Sequence, residues 1–211
     1  MNYKFYFFDF DYTLVNSEKG IVGCFLKTME ELHIPPNPWD EIKMTIGMPM
    51  QDAVTHLTGL TDPAELQQFI TIYKKYANQL MTDNTHFFPD TVATLKRLKE
   101  AGCTVGIVST KTRRRINEKF QQEGCSHLID LVIGSEDTSA CKPDPQGINM
   151  ALDRTGAPRH QAVYVGDSIY DAGAAQNAGL DFVGVLTGNT SAEALKAYPS
   201  VQIINHLREL L

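Results

Sequence analysis

Two carboxylates, Asp9 and Asp11, stand two residues apart where the run Tyr3-Lys4-Phe5-Tyr6-Phe7-Phe8 ends. A run so rich in aromatics reads as a buried strand. An unpaired acid is costly away from water, so two acids at the C-terminal end of such a strand suggest a site at the strand tips of an α/β sheet. Three other places carry comparable groups: Ser109-Thr110 after Cys103–Val108, Lys142 on a loop, and Asp167 with Asp171 after Gln161–Val165. The ends of different strands in a parallel sheet converge on one edge, so sequence distance does not separate these groups. Crowded carboxylates repel unless a cation neutralises them. An all-oxygen set with no His or Cys cluster points to a hard cation, Mg²⁺ in particular. A hydroxyl and a lysine at the same point hold phosphate oxygens. The combined chemistry is phosphoryl transfer.

Each piece alone has an ordinary explanation. Asp-x-Asp at a loop serves as a cap or a solvated turn, Ser109-Thr110 as an N-cap pair, and Lys142 before Pro143 as a surface lysine. Their occurrence in order, each at a strand or loop end, favours the chemical reading.

The elements that must position these groups fall into two rhythms. Ser17 is a candidate N-cap for a helix to about Leu32, with Ile21, Cys24, Phe25 and Met29 at helical spacing. Trp39 to about Asp83 stays helical, broken at Gly47-Met48-Pro49 and Gly59–Pro63. This predicts a small helical unit, with Trp39 in its core, inserted after the first strand. From Pro89 onward strands alternate with helices, with strands over Cys103–Val108, Leu128–Ile133, Gln161–Val165, Phe182–Val185 and Val201–Ile204, and a helix starting at Pro143. That alternation predicts a mostly parallel sheet covered on both faces. The expected division is an α/β core, residues 1–14 and 85–211, and a helical cap, residues 15–84.

The 211 residues suit one domain with a modest insertion. The net charge of −6 argues against nucleic acid as partner. No run approaches membrane-spanning length, and acids interrupt the only candidate signal segment. Cys24, Cys103, Cys125 and Cys141 lack metal-ligand spacing, so a reduced, cytoplasmic chain is expected. A monomer or homodimer acting on a small phosphorylated substrate is the expected form. Cys141 is expected to be a buried packing residue, Arg114 and Arg115 a solvated helix face, and the histidines no metal site.

Asp9-Phe10-Asp11-Tyr12-Thr13, Val108-Ser109-Thr110, Lys142-Pro143 and Gly166-Asp167-Ser168-Ile169-Tyr170-Asp171 resemble the four motifs of the haloacid dehalogenase-like hydrolase superfamily. The likeness covers the whole chain. The helical insertion is similar to the cap of the subgroup holding phosphoglycolate phosphatases, phosphatase-like pyrophosphatases and β-phosphoglucomutases. The resemblance implies a Rossmann-like three-layer core and a Mg²⁺-dependent phosphatase with an aspartyl-phosphate intermediate. It implies Asp9 as nucleophile, Asp11 as general acid/base, and Ser109, Thr110 and Lys142 as phosphate ligands. Asp9, the Asp11 backbone carbonyl and Asp167 would hold the metal, with Asp171 supporting it. Phosphosugar mutase and inorganic pyrophosphatase stay open, as does a regulatory or binding subunit on the same fold. Tyr12 departs from the glycine the family very often has there. Tyr12, Glu18, Gly47, Met48, Lys111 and Arg113 are the candidate substrate-facing residues. Phe10, between the two acids, is expected to let both project to one side of the strand.

Overall fold

In the computed structural model, which describes residues 3–211, the aromatic run forms β1 (Phe5–Phe8). The two-residue strand β2 (Val15–Asn16) follows, then α1 (Glu18–Glu31), α2 (Trp39–Met44), α3 (Met50–Thr58) and α4 (Pro63–Leu80). After β3 (His86–Phe87) come α5 (Thr91–Glu100), β4 (Thr104–Val108), α6 (Arg113–Gln122), β5 (Leu131–Ile133) and α7 (Gln146–Thr155). Next come β6 (Ala162–Gly166), α8 (Ile169–Ala178), β7 (Asp181–Val185), α9 (Ala192–Lys196) and β8 (Gln202–Ile204), followed by a 3₁₀ turn at Leu207–Leu210. Contacts divide it into two units: residues up to Val15 together with Phe87–Leu211, and Asn16–His86.

The first unit is built on a six-stranded sheet in the order β5-β4-β1-β6-β7-β8, every pair parallel. The order explains the composition of β1. A central parallel strand is covered on both faces, so every position is apolar. Tyr6 and Phe8 pack into one layer with Leu95, Leu98, Ile116 and Phe120 from α5 and α6. Phe7 packs into the other with Ile148, Ala151, Leu152 and the alanines of α8. Each such buried side chain contributes on the order of 2 kcal/mol relative to exposure. The chain builds outward from β1 to β4 and β5, then returns to β6 on the other side. The reversal leaves a crevice at the carboxyl ends of β4, β1 and β6, the place where open α/β sheets bind ligands.

The second unit is the expected helical insertion. Phe25 of α1 packs against Phe69 and Tyr73 of α4, with ring centroids 5.8 and 5.0 Å apart. Asp62 caps α4 by accepting from the Ala64 and Glu65 amides, with Pro63 at the first helical position.

Several local expectations are corrected. Trp39 is not core: it is 40% exposed, and its indole N–H donates to Glu18 Oε1 at 2.7 Å. The strand expected over Leu128–Ile133 is shortened to Leu131–Ile133, preceded by a 3₁₀ turn at Ser126–Leu128. Asp130 lies between them because its carboxylate accepts from the Val105 amide and from Lys99. The seventh helix begins at Gln146 rather than Pro143. Gln146 Oε1 accepts from the Ser139 and Ala140 amides, and Asp144 Oδ1 from the Gln146 amide, so the preceding residues form a bonded loop. Cys141 lies exposed on that loop instead of in the core. Arg115 is buried, its guanidinium bonded to Glu118, whereas Arg114 is exposed as expected.

Candidate active site

The site grows from three strand ends. Phe8 is in register with Ile107 of β4 and Val165 of β6, so Asp9 follows one strand end and Ser109 and Asp167 lie one residue further along its two neighbours. The Asp9 amide continues the ladder by donating to the Val165 carbonyl at 2.9 Å, and the Ser109 amide donates to the Ile133 carbonyl. The strand proper stops at Phe8, so Asp9 and Asp11 are not alternate strand positions as expected. The chain turns instead at Phe10, whose carbonyl accepts from the Thr13, Leu14 and Val15 amides. Each acid acquires its own lysine. Lys142 Nζ lies 2.9 Å from Asp9 Oδ1, and Lys111 Nζ lies 3.0 Å from Asp11 Oδ1.

Asp171 organises the second half. It is fully buried and its oxygens are divided between two tasks. Oδ1 accepts from Lys142 Nζ at 2.5 Å. Oδ2 accepts from the Ser168 amide and hydroxyl, while the Asp171 amide donates back to Ser168 Oγ. This reciprocal capping box starts α8 immediately after Asp167. Gly166 is required there, since a Cβ would come within 2.4 Å of the Asp171 carboxylate carbon. Asp167 accepts from the Thr13 hydroxyl at 3.2 Å, joining it to the Asp9 loop.

The electrostatics of the cluster are dominated by acids. Asp9, Asp167 and Asp171 are buried, and each offers a carboxylate oxygen within 4.8 Å of the others. Lys142 is the cation paired with two of them. Burial, opposed by Lys142 and reinforced by Asp171 and Asp11, pushes the Asp9 carboxyl up to about 6. Burial, followed by repulsion from Asp171 and Asp9, raises Asp167 well above the ordinary carboxyl range. Burial alone would lower the Lys142 pKa, but Asp171 and Asp9 outweigh it and hold the ammonium charged. Three buried acids against one lysine and an all-oxygen donor set fit a divalent hard cation.

Three residues of this network have no role legible in the sequence alone. Thr13 and Ser168 lay inside the quoted motifs, and the Ser168–Asp171 spacing was itself a capping signal. Tyr164 sits in an apolar strand and carried no signal. Its buried hydroxyl donates to the Val108 carbonyl at 2.7 Å and lies 3.4 Å from Lys142 Nζ and 3.3 Å from Asp171 Oδ1. It thereby ties the Ser109 strand end to Lys142.

A family model for haloacid dehalogenase-like hydrolases matches residues 6–185. The chain belongs to this family. A solved haloacid dehalogenase-like hydrolase from Bacteroides fragilis superposes with a TM-score of 0.96 at 42% identity, covering 99% of this chain and 100% of that one. A family hydrolase from Streptococcus pneumoniae gives 0.88 at 23% identity over 99% of this chain and 97% of that one, a likeness of fold. Among curated relatives, the pyrophosphatase PpaX of Bacillus velezensis is 28% identical over 206 residues, which are 97% of this chain and 93% of that protein. The family and the buried acid cluster together support phosphatase activity for this hydrolase.

The remaining candidates of the hydrolase separate. Ser109, Thr110 and Lys142 line one recess with Ser135, Thr138 and Cys141. Ser109 Oγ accepts from the Lys111 amide at 3.2 Å. Lys111 reaches Asp11, but the Arg113 guanidinium turns away to Asp137 and its amide to Glu136, so Arg113 adds no unpaired charge at the rim. Tyr12 is buried. In the helical unit, Glu18 holds Trp39. Gly47, at φ +99°, and Met48 form the half-buried turn between α2 and α3. Among the described residues no helix is long and apolar enough to cross a membrane.

Proposed function

We propose that this hydrolase is a Mg²⁺-dependent phosphatase that cleaves a small phosphorylated metabolite, phosphoglycolate or a sugar phosphate in type, through an aspartyl-phosphate on Asp9. The observation that carries the reading is the buried Asp9 carboxylate at the sheet's switch point, with Lys142 Nζ 2.9 Å from its Oδ1 and the Asp167 and Asp171 carboxylates beside it. A carboxylate held so, beside a cation and a strand-end hydroxyl, is poised for attack on phosphorus.

Asp9 attacks in line, forming an O–P bond as the ester P–O bond breaks. Lys142, Ser109 and Thr110 hold the equatorial oxygens as their charge redistributes. Asp11 delivers a proton to the departing alkoxide. It then takes a proton from the water that attacks the phosphoryl group, and inorganic phosphate leaves with Asp9 restored. Asp9, the Asp11 carbonyl and Asp167, supported by Asp171, would hold Mg²⁺, which when bound neutralises charge between nucleophile and phosphate. Asp171 also fixes Lys142 and the turn after Asp167, work its two occupied oxygens support.

Gly47 and Met48 of the helical unit, and Tyr12 of the first unit, are each proposed as candidate residues for reading the substrate's non-phosphate part. The net charge of −6 supports a small metabolite rather than nucleic acid. A cytoplasmic monomer or homodimer without membrane partners is the form proposed. The likeness to PpaX favours a second reading, hydrolysis of inorganic pyrophosphate. A Mg²⁺-dependent panel of phosphoglycolate, sugar phosphates and pyrophosphate distinguishes the two. Phosphate release from a monoester supports the first, release from pyrophosphate alone supports the second, and release from none refutes both.

A further inference from the structure

Among the described residues, Tyr12 and His33 alone carry a side chain at positive φ. Tyr12, at φ +59°, sits inside the loop that bears Asp9, Asp11 and Thr13. A left-handed backbone is disfavoured for a residue with a Cβ and persists where its surroundings over-determine it. The Tyr12 amide is held locally, donating to the Val15 carbonyl at 2.7 Å. Its carbonyl is held from far along the chain. It accepts from Thr187 Oγ1 at 2.6 Å, across 175 residues of sequence.

Thr187 follows β7, on the sheet side away from β4. The next residue, Gly188, lies so close to Asp167 that a Cβ there would fall 1.9 Å from Oδ2. Asp167 in turn accepts from the Thr13 hydroxyl. The Thr187-Gly188 segment therefore abuts both arms of the acid cluster, the Asp9 loop through Tyr12 and the β6 end through Asp167. A threonine needed only to satisfy its own hydroxyl would not have to reach the one carbonyl that follows the left-handed turn.

We propose that Thr187 is a positioning residue whose hydroxyl clamps the Tyr12 carbonyl and so holds the Asp9–Thr13 loop in its left-handed turn. Its kinetic consequence rests on the phosphatase reading; its conformational content does not. Glycine adopts this turn without support, so the clamp matters in proportion to the side chain at position 12.

The test is a double-mutant cycle with Thr187→Val and Thr187→Ser, each in the native and the Tyr12→Gly background, read by p-nitrophenyl phosphate hydrolysis and thermal melting. A second set in the Tyr12→Asn background, which also tolerates the turn, covers a failure of Tyr12→Gly to fold. In the native background Thr187→Val should lower kcat about tenfold, with KM changed less than about threefold, and Thr187→Ser should restore kcat to within about threefold. In the Tyr12→Gly or Tyr12→Asn background Thr187→Val should cost less than about threefold, and its melting shift should shrink likewise. Equal losses in all backgrounds, or Thr187→Ser as impaired as Thr187→Val, would overturn the clamp. If the native protein hydrolyses no probe, the phosphatase reading fails separately. The melting cycle then decides the clamp alone: non-additive shifts support it and additive shifts overturn it.

Discussion

Replacing Asp9 with Asn exposes the electrostatics of the site before catalysis is measured. In the unfolded chain Asp9 releases its proton at its ordinary 3.8, and in the folded protein burial delays this to about 6. Between those values the folded state binds the additional proton. Ionising Asp9 therefore destabilises the fold as pH rises through the window, the opposite of a salt-bridged surface acid. About two units at 1.36 kcal/mol each correspond to about 3 kcal/mol above pH 6. Asn keeps the shape without the charge. With chelator present, Asp9→Asn should be more stable than the native protein by about 1–3 kcal/mol at pH 7.5, and by less than about 1 kcal/mol at pH 4. Urea unfolding at the two pH values measures both gaps, and thermal melting should show a rise of several degrees at pH 7.5. Adding Mg²⁺ should stabilise the native protein more than the variant, because a ligand of the folded state alone shifts the equilibrium toward it. A variant less stable than the native protein at pH 7.5, or a gap that does not change with pH, would show that ionised Asp9 does not destabilise the fold.

Three further outcomes follow from the same network. Lys142→Met should cost about 3–5 kcal/mol at pH 7.5 by urea unfolding, because it leaves Asp9 and Asp171 buried without their cation; an unchanged midpoint would contradict the pairing. Ser168→Ala should cost about 1 kcal/mol by removing the capping box of α8, and thermal melting checks this. Gly188→Ala should weaken Mg²⁺ binding at least about tenfold by titration calorimetry, because the new methyl occupies the place of the Asp167 carboxylate.

The sheet and its helical insertion were legible because their signals are local and redundant. The unbroken apolar run of β1 announces a strand covered on both faces, and the breaks at Gly47–Pro49 and Gly59–Pro63 divide the helical runs of the insertion. The acids were legible because a carboxylate at the end of such a run needs a reason. What could not be read was decided by contacts between distant segments. Tyr164 looks like any core aromatic until its hydroxyl is seen on Val108. Arg113 looks like a free cation until Asp137 takes it. Trp39 has the composition of a core residue, yet one hydrogen bond to Glu18 secures it on the surface. The turn at Phe10 that separates Asp9 from Asp11 involves a left-handed Tyr12, a conformation no sequence pattern assigns to tyrosine.

The most direct test of the central claim is phosphate release from a panel of phosphomonoesters and pyrophosphate, by the native protein and by Asp9→Asn, with Mg²⁺ and with chelator. Mg²⁺-dependent hydrolysis of at least one substrate is expected for the native protein, and a rate at least about 10³-fold lower for Asp9→Asn, as removal of a covalent nucleophile implies. Hydrolysis by Asp9→Asn near the native rate would contradict that role for Asp9.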